Sequence, residues 1–454
     1  MDLFDTRINE IKLEKNEEEN KSKFCGLVSS RNSIIKPACV PITVLSLLII
    51  ALVFLPLFNE EDLASPIKLT TEYVKFNTLN STADTWIKMI DSTEKYLDMS
   101  VMYWNLNTSD YETAFHGKQV YEALIRAAKR GVKVRIIQDG DSNLSDNKES
   151  KYLADNKLAE VRSINMTRLL GSGIVHTKFL ISDIRTIYVG SANMDWKSLS
   201  EVKELGVVVE NCPCVAADLY KIFSGYWKLG AHNSVIPHKW PLSYRTPYNF
   251  THMGPLTLNG EPANYFISSS PQPFNPKGRE HDLEAIRAVI KHAKETVAIS
   301  VMDYIPTTLY MKNGNSFWPE IDDAVRDAAY RGVNVKMLIS HWDHSRKEII
   351  PFLRSLLAIN DAMPLRHGKR GNIEIKIFTV PSSEKQKTIP FTRVNHAKYM
   401  VTEEIAYIGT SNWSGDYFIT TAGVAIVFKQ DQSAKKLQAI FDRDWNSEYA
   451  KLLS

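Results

Sequence analysis

The chain contains the same short pattern twice, and this duplication limits both its fold and its chemistry. The copies open at His176 and His396, each with His-x-Lys, a short hydrophobic run and an acidic residue. Each then reaches a Gly-(Ser/Thr)-x-Asn turn at nearly the same distance. One copy alone would be a weak signal. Two copies in one chain predict a single site that is built from two half-sites.

The residue types in the pattern suit the cleavage of a phosphodiester. Lysines and Asn/Ser pairs can hold phosphate oxygens and stabilise the charge that builds in the transition state. One imidazole can attack phosphorus, while the other protonates the leaving oxygen and then activates water. Because side chains alternate along a strand, His-x-Lys points both side chains to one face. The predicted catalytic residues are His176, Lys178, Asp183, His396, Lys398 and Glu403, and the predicted phosphate-binding residues are Ser191, Asn193, Ser411 and Asn412.

Further segments repeat in the same order and indicate the fold class. Ser100-Val-Met-Tyr-Trp104 returns as Ser300-Val-Met-Asp-Tyr304, and helix-Gly-strand segments around Gly131 and Gly332 also match. Alternating strands and helices predict an α/β sandwich in each half. We therefore predict two tandem pseudo-symmetric halves, residues 65–245 and 246–454, which form one bilobal domain. A pseudo-two-fold axis would bring both histidine motifs into one cleft.

Residues 38–58 break this globular pattern, because they form an uncharged apolar stretch of 21 residues that is long enough to span a bilayer. Basic residues precede the stretch and acidic residues occupy positions 60–62, so the positive-inside rule places the N-terminus in the cytoplasm. We predict a disordered cytoplasmic tail over residues 1–37, a type II signal anchor over 38–58 and a luminal domain after it. A cleaved signal peptide is the alternative, but the preceding region is longer than a normal n-region.

The predicted luminal part contains few cysteines and several glycosylation sequons. The candidate glycosylation sites are Asn80, Asn107, Asn143, Asn165 and Asn249. Asn412 also lies in a sequon but belongs to the second motif, so we predict that it is unmodified. Cys212 and Cys214 are the only cysteines after the anchor, and they cannot provide a disulfide framework. No Cys/His cluster has the spacing of metal ligands, so we expect no metal.

These motifs resemble those of the phospholipase D superfamily, and most of all its type II membrane branch, members three and four of animals. The segments that carry the resemblance are His176-Thr-Lys-Phe, Gly190-Ser-Ala-Asn-Met-Asp-Trp196, Val394-Asn-His-Ala-Lys398 and Tyr407-Ile-Gly-Thr-Ser-Asn-Trp-Ser414. Together with the anchor, the resemblance covers nearly everything after residue 38.

The resemblance implies a phosphodiesterase that degrades single-stranded DNA and RNA from the 5′ end. It implies no cofactor, a phosphohistidine intermediate, His176 as the nucleophile and His396 as the general acid. It also implies passage through the endoplasmic reticulum and Golgi to acidic endosomes and lysosomes. The residues alone do not fix which histidine is the nucleophile.

Three further residues are predicted to support the site. Comparing the two copies places Glu204 opposite Thr421. We hypothesise that Glu204 hydrogen-bonds one imidazole and raises its pKa, while the other imidazole keeps a neutral hydroxyl partner. The Glu-backed histidine would then be the acid; a purely structural glutamate is the alternative. Phe317 and Trp318 follow a polar loop and are predicted to stack on bases, with core packing as the alternative.

Two other functions stay open. A phospholipase D or transphosphatidylase that acts on membrane phospholipids would use the same residues. An inactive membrane trafficking protein is disfavoured, because His, Lys and Asn are intact in both copies. The net charge of only +3 means that any positive site is local. The expected partners are single-stranded nucleic acid, phospholipids, the membrane through residues 38–58 and, in an open oligomeric state, a homodimer partner.

Overall fold

The structure, a computed structural model, describes residues 80–454 apart from 109, 141–145, 313 and 367. The predicted tail (1–37), the predicted anchor (38–58) and the candidate glycosylation site Asn143 therefore lie outside the described residues. Within the part of the chain that is described, no helix is long and apolar enough to cross a bilayer.

The first group of elements builds a mixed six-stranded sheet. In chain order the elements are α1 (Thr82–Asp91), β1 (Tyr96–Ser100), β2 (Trp104–Asn105), α2 (Phe115–Lys129), β3 (Lys133–Asp139), α3 (Lys148–Asp155), β4 (Glu160–Ile164), α4 (Met166–Leu170), β5 (Phe179–Ser182), β6 (Thr186–Gly190), β7 (Met194–Asp195), α5 (Trp196–Ser200), β8 (Gly206–Val209) and α6 (Pro213–Leu229). The strand order is β4-β3-β1-β5-β6-β8. Strands β4, β3 and β1 are parallel to one another, and β5, β6 and β8 continue the sheet in antiparallel pairs.

The second group builds a ten-stranded sheet. Its elements are β9 (Gly254–Leu258), β10 (Glu261–Ser270), β11 (Glu280–His281), α7 (Asp282–His292), β12 (Thr296–Val301), α8 (Glu320–Tyr330), β13 (Asn334–Ser340), α9 (Ile349–Leu357), β14 (Leu365–Arg366), β15 (Lys369–Arg370), β16 (Asn372–Phe378), α10 (Glu384–Lys387), β17 (Lys398–Thr402), β18 (Ile405–Gly409), α11 (Asp416–Ile419), β19 (Gly423–Lys429), α12 (Asp431–Trp445) and β20 (Ala450–Leu452). The strand order is β11-β10-β19-β18-β17-β12-β13-β16-β20, and β9 pairs with β10.

Six strands of the second sheet repeat the order of the first. The run β16-β13-β12-β17-β18-β19 has the same parallel and antiparallel pairs as β4-β3-β1-β5-β6-β8. The predicted α/β fold class is confirmed. In both sheets the strand that follows a histidine motif, β5 or β17, is a central one that pairs with β1 or β12.

A repeated glycine turn explains how each sheet receives its second parallel strand. Gly131 follows α2 with a φ of 96°, and Gly332 follows α8 with a φ of 102°. Both conformations are left-handed, which ends a helix at low cost only for a residue without a Cβ. The next residue, Val132 or Val333, is buried and directs the chain into β3 or β13. The alternating apolar residues of these strands then pack beneath the helices.

A buried ion pair ties α6 to the second sheet. The guanidinium of Arg279, just before β11, donates from both Nη atoms to the carboxylate of Asp218 at 2.8 and 2.9 Å. Arg279 also donates to the carbonyl of Ile267 in β10 at 2.9 Å. The side chains are 0% and 2% exposed, so neither charge has water as an alternative partner. This pair therefore fixes where the helix of one sheet meets the edge of the other.

Replacing one member of this ion pair should destabilise the protein more than replacing both members. Arg279→Met leaves a buried carboxylate without its partner, so we expect the free energy of unfolding to fall by about 3–5 kcal/mol. The double variant Arg279→Met/Asp218→Leu should recover most of this loss. Urea unfolding followed by circular dichroism measures both. A double variant as unstable as the single one would contradict this account.

Candidate active site

The first histidine motif is held by the main chain of the second sheet. The N–H of His176 donates to the carbonyl of Ala422 at 2.9 Å, and the N–H of Ala422 donates to the carbonyl of Ile174 at 2.9 Å. The segment that precedes β5 is therefore fixed by the segment that precedes β19.

The second motif makes the equivalent exchange with the first sheet. The N–H of His396 donates to the carbonyl of Lys203 at 2.8 Å, and the N–H of Lys203 donates to the carbonyl of Val394 at 3.0 Å. These two exchanges bring the histidines together, and the charge of His396 acts on the pKa of His176. Reciprocal main-chain bonds therefore place both histidine motifs where the two sheets meet.

The lysine of each motif is buried beside its histidine. Nζ of Lys178 donates to the carbonyl of His176 at 2.7 Å, and Nζ of Lys398 donates to the carbonyl of His396. The lysines are only 2% and 1% exposed. Burial lowers the pKa of Lys178 well below its ordinary value and the pKa of Lys398 to about 7. A bound anion would reverse both shifts, because it stabilises the protonated ammonium groups.

The two imidazoles have different environments. Burial, followed by the charges of Lys178 and Lys398, lowers the pKa of His176 well below its ordinary value. Burial also lowers the pKa of His396, but the carboxylate of Glu204 acts in the opposite direction. These surroundings favour the neutral form of His176, whereas Glu204 favours the protonated form of His396.

Glu204 supplies the carboxylate of the site. Both of its oxygens lie 3.0 Å from Nδ1 of His396, and Ser191 Oγ donates to its Oε2 at 2.5 Å. Burial raises the pKa of Glu204, but His396 and Lys398 outweigh it, so that pKa lies below its ordinary value. The net pKa of His396 is lowered rather than raised, contrary to our hypothesis, because its burial outweighs the contact with the carboxylate.

The second-sheet residue that corresponds to Glu204 is Gly423, not Thr421. The reciprocal backbone bonds set this correspondence, and they differ by two residues from the sequence comparison. Glycine has no side chain to offer, and no described side chain hydrogen-bonds Nδ1 of His176. The predicted hydroxyl partner is therefore wrong. The ring of Tyr417 packs edge-on against His176 instead, with centroids 5.0 Å apart.

The hydroxyl that corresponds to Ser191 is that of Thr410, not of Ser411. Ser191 and Thr410 each accept a main-chain N–H near the start of β8 or β19, at 3.0 and 3.1 Å. Ser411 donates at 3.4 Å to the buried carboxylate of Asp282. The phosphate-binding role predicted for Ser411 is corrected accordingly. The shared Gly-(Ser/Thr)-x-Asn pattern already aligns Ser191 with Thr410, and the prediction chose the neighbouring serine instead.

The asparagines of the two motifs hold equivalent places. Nδ2 of Asn412 donates to Asp303 at 3.3 Å and to the Tyr417 hydroxyl at 3.1 Å, and the side chain of Asn193 bonds the Tyr103 hydroxyl. Both Oδ1 atoms are buried and have no partner among the described residues. Buried polar groups are rarely left unsatisfied, so each amide oxygen requires a hydrogen-bond donor that the described residues do not supply.

Asp183 and Glu403 lie at the far ends of β5 and β17, away from the histidines. The carboxylate of Asp183 accepts the main-chain N–H groups of residues 94–96, each at 2.8 Å. Glu403 accepts those of Lys294 at 2.7 Å and Thr296 at 3.4 Å. These acids anchor the turns that lead into β1 and β12. The structure does not bring them to the imidazoles, which corrects the catalytic role predicted for both.

Trp318 and Phe317 differ in exposure. The Trp318 ring stacks on Phe418, with centroids 5.5 Å apart and planes within 9°, and packs against the second-sheet core. Phe317 is 67% exposed. Trp318 is therefore occupied by core packing, and only Phe317 keeps an open ring.

The described sequons differ in accessibility. Asn80, Asn107 and Asn165 are exposed, Asn249 is half-buried, and Asn412 is 3% exposed. Burial makes Asn412 unsuitable for glycan attachment. Cys212 and Cys214 form no disulfide with each other, and their sulfur atoms lie 3.2 Å apart.

Sequence reasoning missed a polar layer around the asparagines. Tyr103 and Asp303 occupy equivalent positions in the repeated Ser-Val-Met segment. The Tyr103 hydroxyl donates to Asp195 at 2.8 Å, and burial raises the pKa of Asp303 while Lys398 acts against this shift. The repeat itself was the available signal, since both residues lie three positions after an equivalent serine.

Comparison with known proteins agrees with this geometry. The family described as "PLD3/4, PLD-like domain" matches residues 72–383. The chain belongs to this family. It is 66% identical to a probable phospholipase D of Caenorhabditis elegans, over 99% of this chain and 86% of that protein. It is 44% identical to the 5′-3′ exonuclease PLD3 of Xenopus laevis (82% and 77% covered) and 43% identical to that of Homo sapiens (82% and 76%).

Among solved structures, phosphatidylserine synthase of Haemophilus influenzae aligns with a TM-score of 0.54 at 12% identity. The alignment covers 83% of this chain and 86% of that one, and it shows a shared fold. The family assignment makes the protein a phosphodiesterase of the phospholipase D superfamily. Over the described ranges, no group of three or more His, Cys, Asp or Glu side chains could hold a metal ion.

The buried lysine should lower the stability of the resting enzyme in a pH-dependent way. The pKa of Lys398 is about 7 in the folded chain, against about 10.4 when unfolded. The cost of burying its charge is therefore complete below about pH 7 and disappears as the pH rises past about 10. Lys398→Met should raise the free energy of unfolding by about 2–4 kcal/mol at acidic pH, with a smaller gain at higher pH.

Urea unfolding at acidic and alkaline pH measures this gain, with the exposed Lys435→Met as the matched control. A gain that is absent, or that grows with pH, would show that Lys398 is not a buried charge of this kind.

Proposed function

We propose that the enzyme is a 5′→3′ exonuclease that cleaves single-stranded DNA and RNA through a phosphohistidine. The observation that carries the proposal is the convergence of His176 and His396 with two buried lysines and two asparagines in one place. The relatives named 5′-3′ exonuclease PLD3 support the substrate and the polarity. We further propose that the two sheets are tandem halves of this one site.

In the first step Nε2 of neutral His176 attacks phosphorus and forms a P–N bond. The P–O bond to the leaving strand breaks, and the proton of His396 moves to that oxygen. Lys178 and Lys398 hold the non-bridging oxygens and stabilise the charge that they gain. In the second step neutral His396 takes a proton from water, whose oxygen attacks phosphorus. The P–N bond then breaks, which releases the phosphorylated product and restores both histidines.

The different surroundings of the histidines favour this division of roles. A nucleophile has to be neutral, and burial beside two lysines lowers the pKa of His176. An acid has to carry a proton, and Glu204 contacts His396 through Nδ1, which leaves Nε2 free to face the substrate. The carboxylate also stabilises the imidazolium form.

We propose that this chemistry takes place in acidic endosomes and lysosomes. The apolar segment 38–58 would anchor the enzyme as a type II membrane protein, with the catalytic domain luminal and glycosylated at the exposed sequons. An acidic compartment suits the mechanism, because the pKa of His396 lies below its ordinary value and the acid has to be protonated.

Phosphatidyl transfer is the second candidate. The Caenorhabditis elegans relative at 66% identity is named a probable phospholipase D. A phosphatidyl group on His176 would follow the same two steps, with water or an alcohol as the acceptor. The substrate therefore has to be decided by assay.

The deciding assay uses the full-length protein in detergent with 3′-labelled single-stranded DNA and RNA, in EDTA near pH 5. We expect stepwise shortening from the 5′ end, no activity in His176→Ala, and full activity in His292→Ala, whose histidine bonds only the carbonyl of Ala288 in its own helix. Phosphatidylglycerol vesicles with a primary alcohol form the parallel arm. Turnover of lipid without any shortening of the oligonucleotides would contradict the exonuclease proposal and support phosphatidyl transfer.

The role of Glu204 has its own test in the pH dependence of kcat. Glu204→Gln removes the negative charge beside His396, so the pKa of that imidazole should fall further. Activity that requires protonated His396 is lost as pH rises, and this alkaline limb should therefore move to lower pH in the variant. A limb that stays in place would show that Glu204 does not act on the catalytic acid.

A further inference from the structure

An exposed aromatic stack lies on the loop that leads to the second histidine. Phe391 is 59% exposed, although most aromatic residues of this chain are buried or half-buried. The ring of His344, on the loop after β13, is parallel to it, with centroids 4.4 Å apart and planes within 13°. Trp342 packs edge-on against His344, with ring centroids 4.8 Å apart. One face of the Phe391 ring is thus supported, and much of the residue remains open.

The backbone that carries this ring is held in an unfavourable conformation. Phe391 has a φ of 57°, in the left-handed region that bulky side chains rarely adopt. Arg393 fixes the loop, because its N–H donates to the carbonyl of Glu201 at 3.1 Å and its Nε to that of Pro381 at 2.9 Å. Thr392 adds a bond to the carbonyl of Ile389 at 2.8 Å. Such strain is maintained where the surrounding structure imposes it, and it is most common at functional sites.

The stack is linked to Asn193 of the first motif through side chains of α5, β7 and the loop after β1. Nζ of Lys197 lies 5.8 Å from the centroid of the Phe391 ring and 3.6 Å from Asp195. Asp195 accepts the Tyr103 hydroxyl at 2.8 Å, and that hydroxyl bonds Asn193 of the first motif. A short run of side chains therefore leads from the exposed ring to Asn193, a predicted phosphate-binding residue.

We propose that Phe391 and His344 form a platform on which one base of the single-stranded substrate stacks, while Lys197 contacts a phosphate next to that base. The proposal rests on the exonuclease function and names the residues that hold the strand outside the reacting phosphate. Stacking is insensitive to sequence, because every base has a π-face, and a cation beside the ring suits the adjoining backbone. The platform is distinct from Phe317, which lies on the loop between β12 and α8.

The surroundings of the ring favour a base over a lipid chain. Side chains that enter a membrane are usually grouped with other apolar ones. Phe391 instead has His344 on one face and Lys197 beside it, with exposed Asp343 next to the histidine in the chain. A flat aromatic partner with a neighbouring negative charge fits this setting.

The test compares full-length wild type and Phe391→Asn on oligonucleotides that lack one base. Asparagine tolerates a positive φ, so the loop can keep its path. On the complete oligonucleotide kcat/KM should fall about 5–100-fold. Substrates with an abasic site at the first, second or third nucleotide from the 5′ end are then assayed singly. At one of these positions the loss caused by Phe391→Asn should shrink, because wild type can no longer stack there.

Two variants control for folding and for general surface effects. Phe391→Tyr keeps the ring and should retain wild-type kcat/KM. Tyr330→Asn removes another exposed aromatic residue, 50% exposed and 5.0 Å from the Arg366 guanidinium, and should change nothing.

Three results would overturn the platform. An equal loss on every abasic substrate would make Phe391 a structural residue, and no loss on any substrate would remove it from binding. Unchanged oligonucleotide cleavage with weaker turnover of phosphatidylglycerol vesicles would assign the ring to a membrane contact. If wild type itself cleaved no oligonucleotide, the exonuclease proposal would fail before the platform was tested.

Discussion

The active site depends on the exchange of main-chain hydrogen bonds between the two sheets. His176 and His396 each lie in a segment whose backbone is completed by the opposite sheet, through Ala422 and Lys203. Main-chain bonds of this kind do not vary with side-chain rotamers, so they set the position of both imidazoles together. Neither sheet can form the site alone, because each would leave a motif without its backbone partners.

The exchange also buries the histidines and lysines of both motifs, and this burial explains their lowered pKa values. Two imidazoles and two ammonium groups share one enclosed place, with Glu204 as the carboxylate in contact with a catalytic imidazole. Water cannot stabilise these charges, so the pKa of each of the four basic groups is lowered. A phosphodiester would add negative charge beside the two ammonium groups and stabilise their protonated forms. The energy that the resting enzyme spends on burial is recovered in binding the substrate and its transition state.

The repeated motifs allowed the fold class and the pairing of the two histidines to be predicted from the sequence. The roles of residues that depend on the path of a strand or loop could not be predicted in this way. Hydrophobic alternation and the duplicated motif predicted the α/β class and the meeting of His176 with His396. The acids of the motif were misassigned, since a strand of about 3.3 Å per residue carries Asp183 away from His176. The Gly-(Ser/Thr)-x-Asn pattern already aligned Thr410 with Ser191, although the prediction chose Ser411, and Phe391 belongs to no motif. Its exposure and positive φ are properties of the folded loop.

The asymmetry between the equivalent positions matters more for mechanism than their similarity. Glu204 corresponds to Gly423, and a Cβ at Gly423 would lie 2.2 Å from Ser411 Oγ, so the second sheet has no room for a matching carboxylate. A duplicated site with identical surroundings would give both imidazoles the same pKa, and neither would be set apart as acid or nucleophile. One carboxylate on one side makes the surroundings of the two imidazoles different. The packing of Ser411 beneath Gly423 leaves His176 without a carboxylate at the position that corresponds to Glu204.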